Sequence, residues 1–326
     1  MLCGKHILVG ISGGIAAYKI PELVRLLIKE GAEVRVTTTH NALQFVTETT
    51  LRTLSGHPVY TDVFAPVNEH STEHISLPDW ADLMIVAPAT ANVIGKAAAG
   101  IADDALTTTF AATVARKPVV IAPAMNDKMY DNPATQEAMR KLTSWHGVTV
   151  LDCAKGFLAC GTEGKGRMQE PDALVEAVCA ALTEQTMAGR RVLLTAGPTR
   201  ERLDPVRYLS NYSSGKMGYA IARACLRRGA EVVLVSGPTT QTMPGIYGSR
   251  LRVVSVESAA EMAEAATAEW GKADMAVLSA AVADFTPAEV ESLLAAGVRP
   301  VTLGENVLRV ETASLFVLSA IKYAWL

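Results

Sequence analysis

The sequence predicts an α/β protein built on doubly wound parallel sheets, and three observations carry that expectation. Short, nearly continuous apolar runs alternate with stretches of helical period, the pattern of a parallel sheet covered on both faces. The opening strand–helix–strand unit returns in the second half of the chain. The length of 326 residues corresponds to two domains at about 150 residues each.

Element by element, His6–Ile11 (HILVGI) reads as a buried strand. Ile15–Glu30 then sets Ile20, Leu23, Val24, Leu27 and Ile28 on one helical face. Gly31 fits a helix C-cap, and Glu33–Thr38 a second strand. Leu83–Ala87, Pro118–Ala122 and Val148–Leu151 continue the series. Glu184–Gly189 is a short polar stretch that reads as a linker. Beyond it Arg191–Thr195 is a strand, and Met217, Ala220, Ile221 and Ala224 line a helix face. Arg228-Gly229-Ala230-Glu231-Val232 echoes Glu30-Gly31-Ala32-Glu33-Val34. Arg252–Val256 and Met275–Ala283 extend the second sheet. Two units of one design predict two Rossmann-like domains in series and not a solenoid.

Composition narrows the function classes. With 49% apolar and 19% charged residues, the chain can bury real cores and is not disordered. Lys and Arg total 30 against 33 Asp and Glu, a net charge of −3 that argues against a nucleic-acid surface. No run of about 18 apolar residues is present, so no membrane span is expected. Met1–His6 enters a β-like stretch too quickly for a secretory signal. The cysteines Cys3, Cys153, Cys160, Cys179 and Cys225 show no CxxC spacing. That pattern points to a reducing cytosol and away from disulfides or zinc.

The turn after the first strand, Gly10-Ile11-Ser12-Gly13-Gly14-Ile15, lets backbone approach a ligand and offers helix-start N–H groups to an anion. It matches neither GxGxxG nor the Walker pattern, so it equally reads as a tight turn. Thr37, Thr38 and Thr39 add strand-end hydroxyls. A second loop, Ser213-Ser214-Gly215-Lys216-Met217-Gly218, has Met217 where a magnesium-binding hydroxyl belongs and Ser210 where the first glycine belongs. It is an anion-binding helix start with one lysine, not a P-loop.

Three further groups have chemical character. His74 lies in a loop-rich segment before the Leu83 strand, where a surface histidine is the plainer reading. Asn126, directly after a buried strand, suits either a polar substrate or a helix N-cap. Cys160 sits in a glycine-rich loop with Lys165 and Arg167, where a lowered thiol pKa and a mobile flap are expected.

Taken in order, these blocks resemble the bifunctional phosphopantothenoylcysteine decarboxylase/phosphopantothenate–cysteine ligase family of coenzyme A synthesis. The motifs are SGGIAAYK (12–19), HISL (74–77), PATANVIGK (88–96), PAMNDKMY (123–130) and ACGTEGKGRM (159–168). TAGPTRERLDPVRYLSNYSSGKMG (195–218) and SAAVADF (279–285) continue the match. The resemblance implies a flavodoxin-like FMN decarboxylase domain over 1–186 and the N-terminal part of a CTP-dependent Rossmann-like ligase over 187–289. Gly13, Gly14, Ile15, Thr39, Thr90, Ala91 and Asn92 would contact FMN. His74 would be the base assisting thiol oxidation, Asn126 the holder of the substrate carboxylate, and Cys160 the proton donor that completes reduction. In the ligase half, Asn211 would resolve an acyl-cytidylate intermediate, with Ser279, Ala280 and Asp284 at the nucleotide. Mg²⁺ would accompany CTP, and Lys216 would meet a phosphate. The expected partners are small molecules: phosphopantothenoylcysteine, phosphopantothenate, cysteine and CTP. A cytoplasmic homotrimer through the flavoprotein domain is also implied.

After Glu289 the family pattern stops. Residues 285–321 contain no lysine, whereas the family carries a KIKK-type stretch there for the triphosphate. Ligase turnover is therefore expected to be impaired. Residues 290–326 form an atypical tail. Within it, Val301–Ala313 (VTLGENVLRVETA) resembles the C-terminal knot of trefoil-knot ribosomal-RNA uridine methyltransferases, without the rest of that domain and so without that activity. The alternative reading is a non-catalytic or other-substrate flavoprotein of the same family.

Overall fold

The computed structural model describes residues 2–64, 72–157 and 163–281. The chain divides into two compact units, Met1–Thr183 and Glu184–Leu326.

The first unit is a six-stranded sheet. Its strands are β1 (His6–Ile11), β2 (Glu33–Thr38), β3 (Val59–Tyr60), β4 (Leu83–Ala89), β5 (Val119–Pro123) and β6 (Val148–Val150). They lie in the order β3-β2-β1-β4-β5-β6, all parallel. Every residue of β4 and β5 is buried, which is why both read as unbroken apolar runs. This is the doubly wound parallel sheet expected of the flavodoxin-like half. The order reverses between β1 and β4, so a ligand crevice belongs at their C-terminal ends.

Helices cover both faces: α1 (Ile20–Lys29), α2 (Glu48–Ser55), α3 (Glu73–Trp80), α4 (Ala91–Ala99), α5 (Ala105–Thr113), α6 (Asp127–Tyr130), α7 (Pro133–Thr143) and α8 (Pro171–Ala181). The predicted helix over Ile15–Glu30 divides into a 3₁₀ segment, Ile15–Lys19, followed by α1. Pro21 explains the division, because it lacks an N–H and fits only a first helical turn. Ile20, Leu23, Val24 and Leu27 are buried as expected, each worth about 1.5–3 kcal/mol. Ile28 is not; it is 38% exposed at the helix edge. Core residues such as Leu8, Met84, Leu106, Phe110 and Ile121 join the sheet to its helices. An antiparallel pair, β7 (Ala154–Phe157) and β8 (Glu163–Arg167), stands apart from the main sheet.

The second unit holds β9 (Arg191–Ala196), the antiparallel hairpin β10 (Arg200–Arg202) and β11 (Tyr208–Ser210), then α9 (Lys216–Arg227), β12 (Glu231–Ser236), β13 (Leu251–Ser255), α10 (Ala259–Trp270) and β14 (Met275–Leu278). Four of these strands form a parallel sheet in the order β13-β12-β9-β14. The buried face of α9 is Gly218, Tyr219, Ile221, Ala222, Cys225 and Leu226. The predicted set of Met217, Ala220, Ile221 and Ala224 has the right period but is turned by one residue. The cause is steric: a Cβ at Gly218 would collide with the Ala196 side chain, so the helix rests on β9 through its smallest residue. The last strand ends at Leu278, earlier than expected, and Ala281 forms only an isolated bridge to Pro198. Ser258 and Glu261 form a capping box at the start of α10. Among the described residues no helix is long and apolar enough to cross a membrane.

Candidate functional site

A cavity of about 960 Å³ opens at the C-terminal ends of β1, β2, β4 and β5. Gly13, Gly14 and Ile15 line it from the turn after β1, and Thr39 from the end of β2. Thr90 and Asn92 enter from the start of α4, and Asn126 from the loop after β5. Ala91 lies beside them without lining the cavity.

Backbone sterics and one buried hydroxyl build this mouth. A Cβ on Gly13 would stand 2.6 Å from Asn41 Cβ and 3.0 Å from the Asn41 carbonyl oxygen, so only glycine fits there. Ser12, fully buried, donates through Oγ to the Pro88 carbonyl at 2.7 Å and accepts the Thr90 N–H at 3.0 Å. It therefore clamps the β1 turn to the β4 turn. Asn126 caps α6, its Oδ1 accepting the Lys128 N–H at 3.0 Å, and the same residue faces the cavity. The two readings of Asn126 are thus compatible. The Met125 N–H donates to the Gly166 carbonyl at 2.9 Å, tying the Asn126 loop to β8.

Of the charged wall, only Arg167 was named from sequence, as a neighbour of Cys160. Lys19 Nζ reaches both Glu170 carboxylate oxygens at 2.8 Å, and Arg167 Nη2 donates to the same carboxylate at 2.6 Å. Lys19, and then Arg167, hold the Glu170 carboxyl below the usual carboxylate range. Lys96 hydrogen-bonds Asp103 at 2.7 Å and lies 3.6 Å from Asp104. That partnership raises the Lys96 pKa and lowers that of Asp103. Both Lys19 and Arg167 fall inside quoted motifs, but no spacing rule could pair them with Glu170.

Not every candidate meets here. His74 lies on α3, not in a loop, and does not line the cavity. Its Nδ1 is buried with no hydrogen bond among the described residues. The α3 segment was missed because it contains Pro78 and its apolar residues follow no helical period, although the buried Glu73, Leu77 and Pro78 share one face. Cys160 lies outside the described residues. Cys153, on the neighbouring strand end, donates to the Pro123 carbonyl at 3.4 Å. Burial, with help from Asp152, pushes its thiol up to about 12, so it is no nucleophile.

In the second unit, Asn211 donates through Nδ2 to the Ala281 carbonyl and accepts the Ser213 N–H at 2.9 Å. The Ser279 and Ala280 N–H groups both point at Thr195 Oγ1, at 3.2 and 3.3 Å. Asn211, Ser279 and Ala280 are therefore gathered at the ends of β9 and β14. The Ser279 hydroxyl is buried without a hydrogen bond among the described residues. Lys216 starts α9 behind Gly215, whose φ of +73° requires glycine. Asp284 lies outside the described residues. A separate cavity of about 540 Å³, lined by Ser236, Gly237, Thr239 and Glu257, includes none of these candidates.

A doubly wound sheet with a glycine-lined crevice at its switch point defines a protein that binds a phosphorylated ligand at its strand ends. Comparison with known proteins agrees. Residues 1–183 match the Flavoprotein family, and residues 187–293 match the DNA/pantothenate metabolism flavoprotein C-terminal domain. A coenzyme A biosynthesis bifunctional protein CoaBC of Bacillus subtilis (strain 168) is 47% identical over 293 residues, covering 89% of this chain and 71% of that protein. The protein of the same description from Escherichia coli (strain K12) is 46% identical over 290 residues, covering 89% and 70%. A solved PPC decarboxylase mutant complexed with pantothenoylaminoethenethiol is 34% identical, covering 53% of this chain and 96% of that one, with a TM-score of 0.48. The chain belongs to the family of bifunctional coenzyme A biosynthesis proteins, in which an FMN-dependent decarboxylase domain precedes a ligase domain.

The cavity fits FMN on its own evidence. Gly13 lines it with bare backbone, packed so closely on Asn41 that no Cβ fits. The Thr39 hydroxyl is buried beside it without a hydrogen-bond partner among the described residues. Such an orphan is a cost that a bound polar group removes.

Proposed function

We propose that the first unit decarboxylates 4′-phosphopantothenoylcysteine to 4′-phosphopantetheine at the 960 Å³ cavity. The observation that carries this reading is the convergence of seven candidate residues, from four separated segments, on one crevice. Gly13, Gly14, Ile15, Thr39, Thr90 and Asn92 would hold FMN, with Ala91 shaping the turn. FMN bound there would take two electrons from the cysteine side chain, giving the carbanion left by CO₂ a place for its charge, and would return the same two electrons when the product thiol forms. Asn126 orients the departing carboxylate from its capped, rigid loop. His74 takes a proton during oxidation, and Cys160 returns one when the product thiol forms. The rim exposes Ile15, Tyr18 and Met129 at 50% or more. That apolar surface suits the homotrimer expected through this unit.

The domain bodies are read as 1–186 and 187–289, with 290–326 a tail. In the second, CTP with Mg²⁺ would activate phosphopantothenate for attack by cysteine, Asn211 resolving the acyl-cytidylate. Ser279, Ala280 and Asp284 would meet the nucleotide and Lys216 a phosphate. Without lysine in 285–321, the triphosphate has a weak electrostatic partner and turnover is low. The reactions belong in a reducing cytosol.

Supplying each half-reaction separately tests this. Phosphopantothenoylcysteine alone should release CO₂ at a normal rate for such an enzyme. Phosphopantothenate with CTP and cysteine should react poorly. A colourless protein that takes up no FMN would defeat the decarboxylase reading, and full ligase turnover would defeat the reading of residues 285–321.

A further inference from the structure

The cavity's charges are unevenly balanced. Lys96 is met by two carboxylates, Asp103 and Asp104. Lys19 and Arg167, which also line the cavity, share one carboxylate, Glu170. Among the described residues this leaves one positive charge in excess on that side of the cavity.

Donor capacity is also left over. A guanidinium carries five N–H groups and an ammonium three. Arg167 gives Glu170 one bond, from Nη2, and its guanidinium makes no other hydrogen bond to a described residue. Lys19 gives two. Lys19 is 11% exposed at its side chain and Arg167 43%, so one cation is partly desolvated and the other reaches toward solvent. Glu170, at the N-cap of α8, fixes both heads within one hydrogen-bond radius. Arg167 ends β8.

We propose that Lys19 and Arg167, held together by Glu170, form the subsite that takes the phosphate end of the substrate. This rests on the decarboxylase reading above. A phosphomonoester carries a charge of about −1.5 to −2 near neutral pH and three acceptor oxygens. It matches an arginine fork beside a lysine whose own counter-charge is incomplete. Glu170 is a positioning residue: it sets the two cations and does not touch the substrate. The subsite selects phosphorylated over unphosphorylated substrate, while Asn126 serves the carboxylate that both share.

The test compares the FMN-loaded full chain on phosphopantothenoylcysteine and on pantothenoylcysteine, which lacks the phosphate. The wild-type kcat/KM should favour the phosphorylated form by about 10- to 100-fold, mostly through KM, as expected for charge-assisted hydrogen bonds. Arg167→Gln and Lys19→Met should each pull that preference down at least about fivefold, with flavin content per chain unchanged. Arg167→Lys should recover part of it. Equal wild-type efficiency on the two substrates would overturn the assignment. So would variants that slow both substrates alike, or that lose FMN, since the cluster would then serve the cofactor's phosphate or the fold. A wild-type protein that decarboxylates neither substrate would instead overturn the decarboxylase reading on which the subsite depends.

Discussion

Gly166→Ala is the sharpest perturbation of the link between β8 and the Asn126 loop. Gly166 has φ +132°, a region L side chains rarely enter, and its carbonyl accepts the Met125 N–H at 2.9 Å. A Cβ built there collides with the Met125 carbonyl oxygen and stands 3.3 Å from its carbon and 3.4 Å from the Asn126 carbonyl carbon. The atoms in the way are backbone, so no rotamer change relieves the clash. Backbone strain of about 1–3 kcal/mol and overpacking of about 1–3 kcal/mol give a total of about 2–6 kcal/mol. For a unit of this size about 1 kcal/mol shifts Tm by about 2–4 °C, so the flavoprotein unit should melt about 4–24 °C lower. If the loop moves to escape the clash, Asn126 moves with it, and a displacement near 1 Å costs about 100-fold in turnover. Melting followed by flavin fluorescence, together with CO₂ release, reads both routes. A Gly166→Ala variant that melts within a degree of wild type and turns over normally would refute this account of the loop.

Further expectations follow from the same geometry. Cys160→Ser should let the oxidised, decarboxylated intermediate accumulate, seen by mass spectrometry; normal phosphopantetheine formation would remove Cys160 from the proton-donor role. His74→Asn should abolish CO₂ release, and near-normal turnover would reject it as the base. The Glu170 carboxyl is held below its unfolded value, so its contribution is full above about pH 4.3 and is lost as pH falls through the depressed folded pKa. Because Glu170 is half exposed, that contribution is about 1 kcal/mol or less. Glu170→Gln should lower Tm slightly at pH 7, with the difference from wild type vanishing in acid; a difference that persists in acid would contradict the pairing. Burial holds the Cys153 and Cys225 thiols up at about 12. Alkylation of the native protein at pH 8 should therefore mark exposed Cys3 and spare those two, as peptide mapping would show.

What the chain disclosed before folding was uneven, for physical reasons. β1, β4 and β5 were readable because strands buried on both faces leave an apolar run with no alternation. β3 escaped because two residues carry no pattern. In α9 the period was right but the face was turned by one residue, since Gly218 is buried by close approach to Ala196 and not by hydrophobicity. Gly13 and Gly14 were legible because strand–helix junctions place ligands, whereas Thr90, Ala91 and Asn92 came only through the family resemblance. The Lys19–Glu170 pair was not, because 151 positions separate its members and only the packing of α8 near α1 unites them. His74 was found as a residue but misplaced as to its element, since a helix containing Pro78 reads as a loop.

Release of labelled CO₂ from carboxyl-labelled phosphopantothenoylcysteine tests the central claim most directly, measured on the FMN-loaded wild type beside Asn126→Ala. The account predicts labelled CO₂ in step with phosphopantetheine from the wild type. It predicts a loss of about 100-fold or more in the variant, with its flavin still bound. Equal release from both proteins, or none from the wild type, would contradict it.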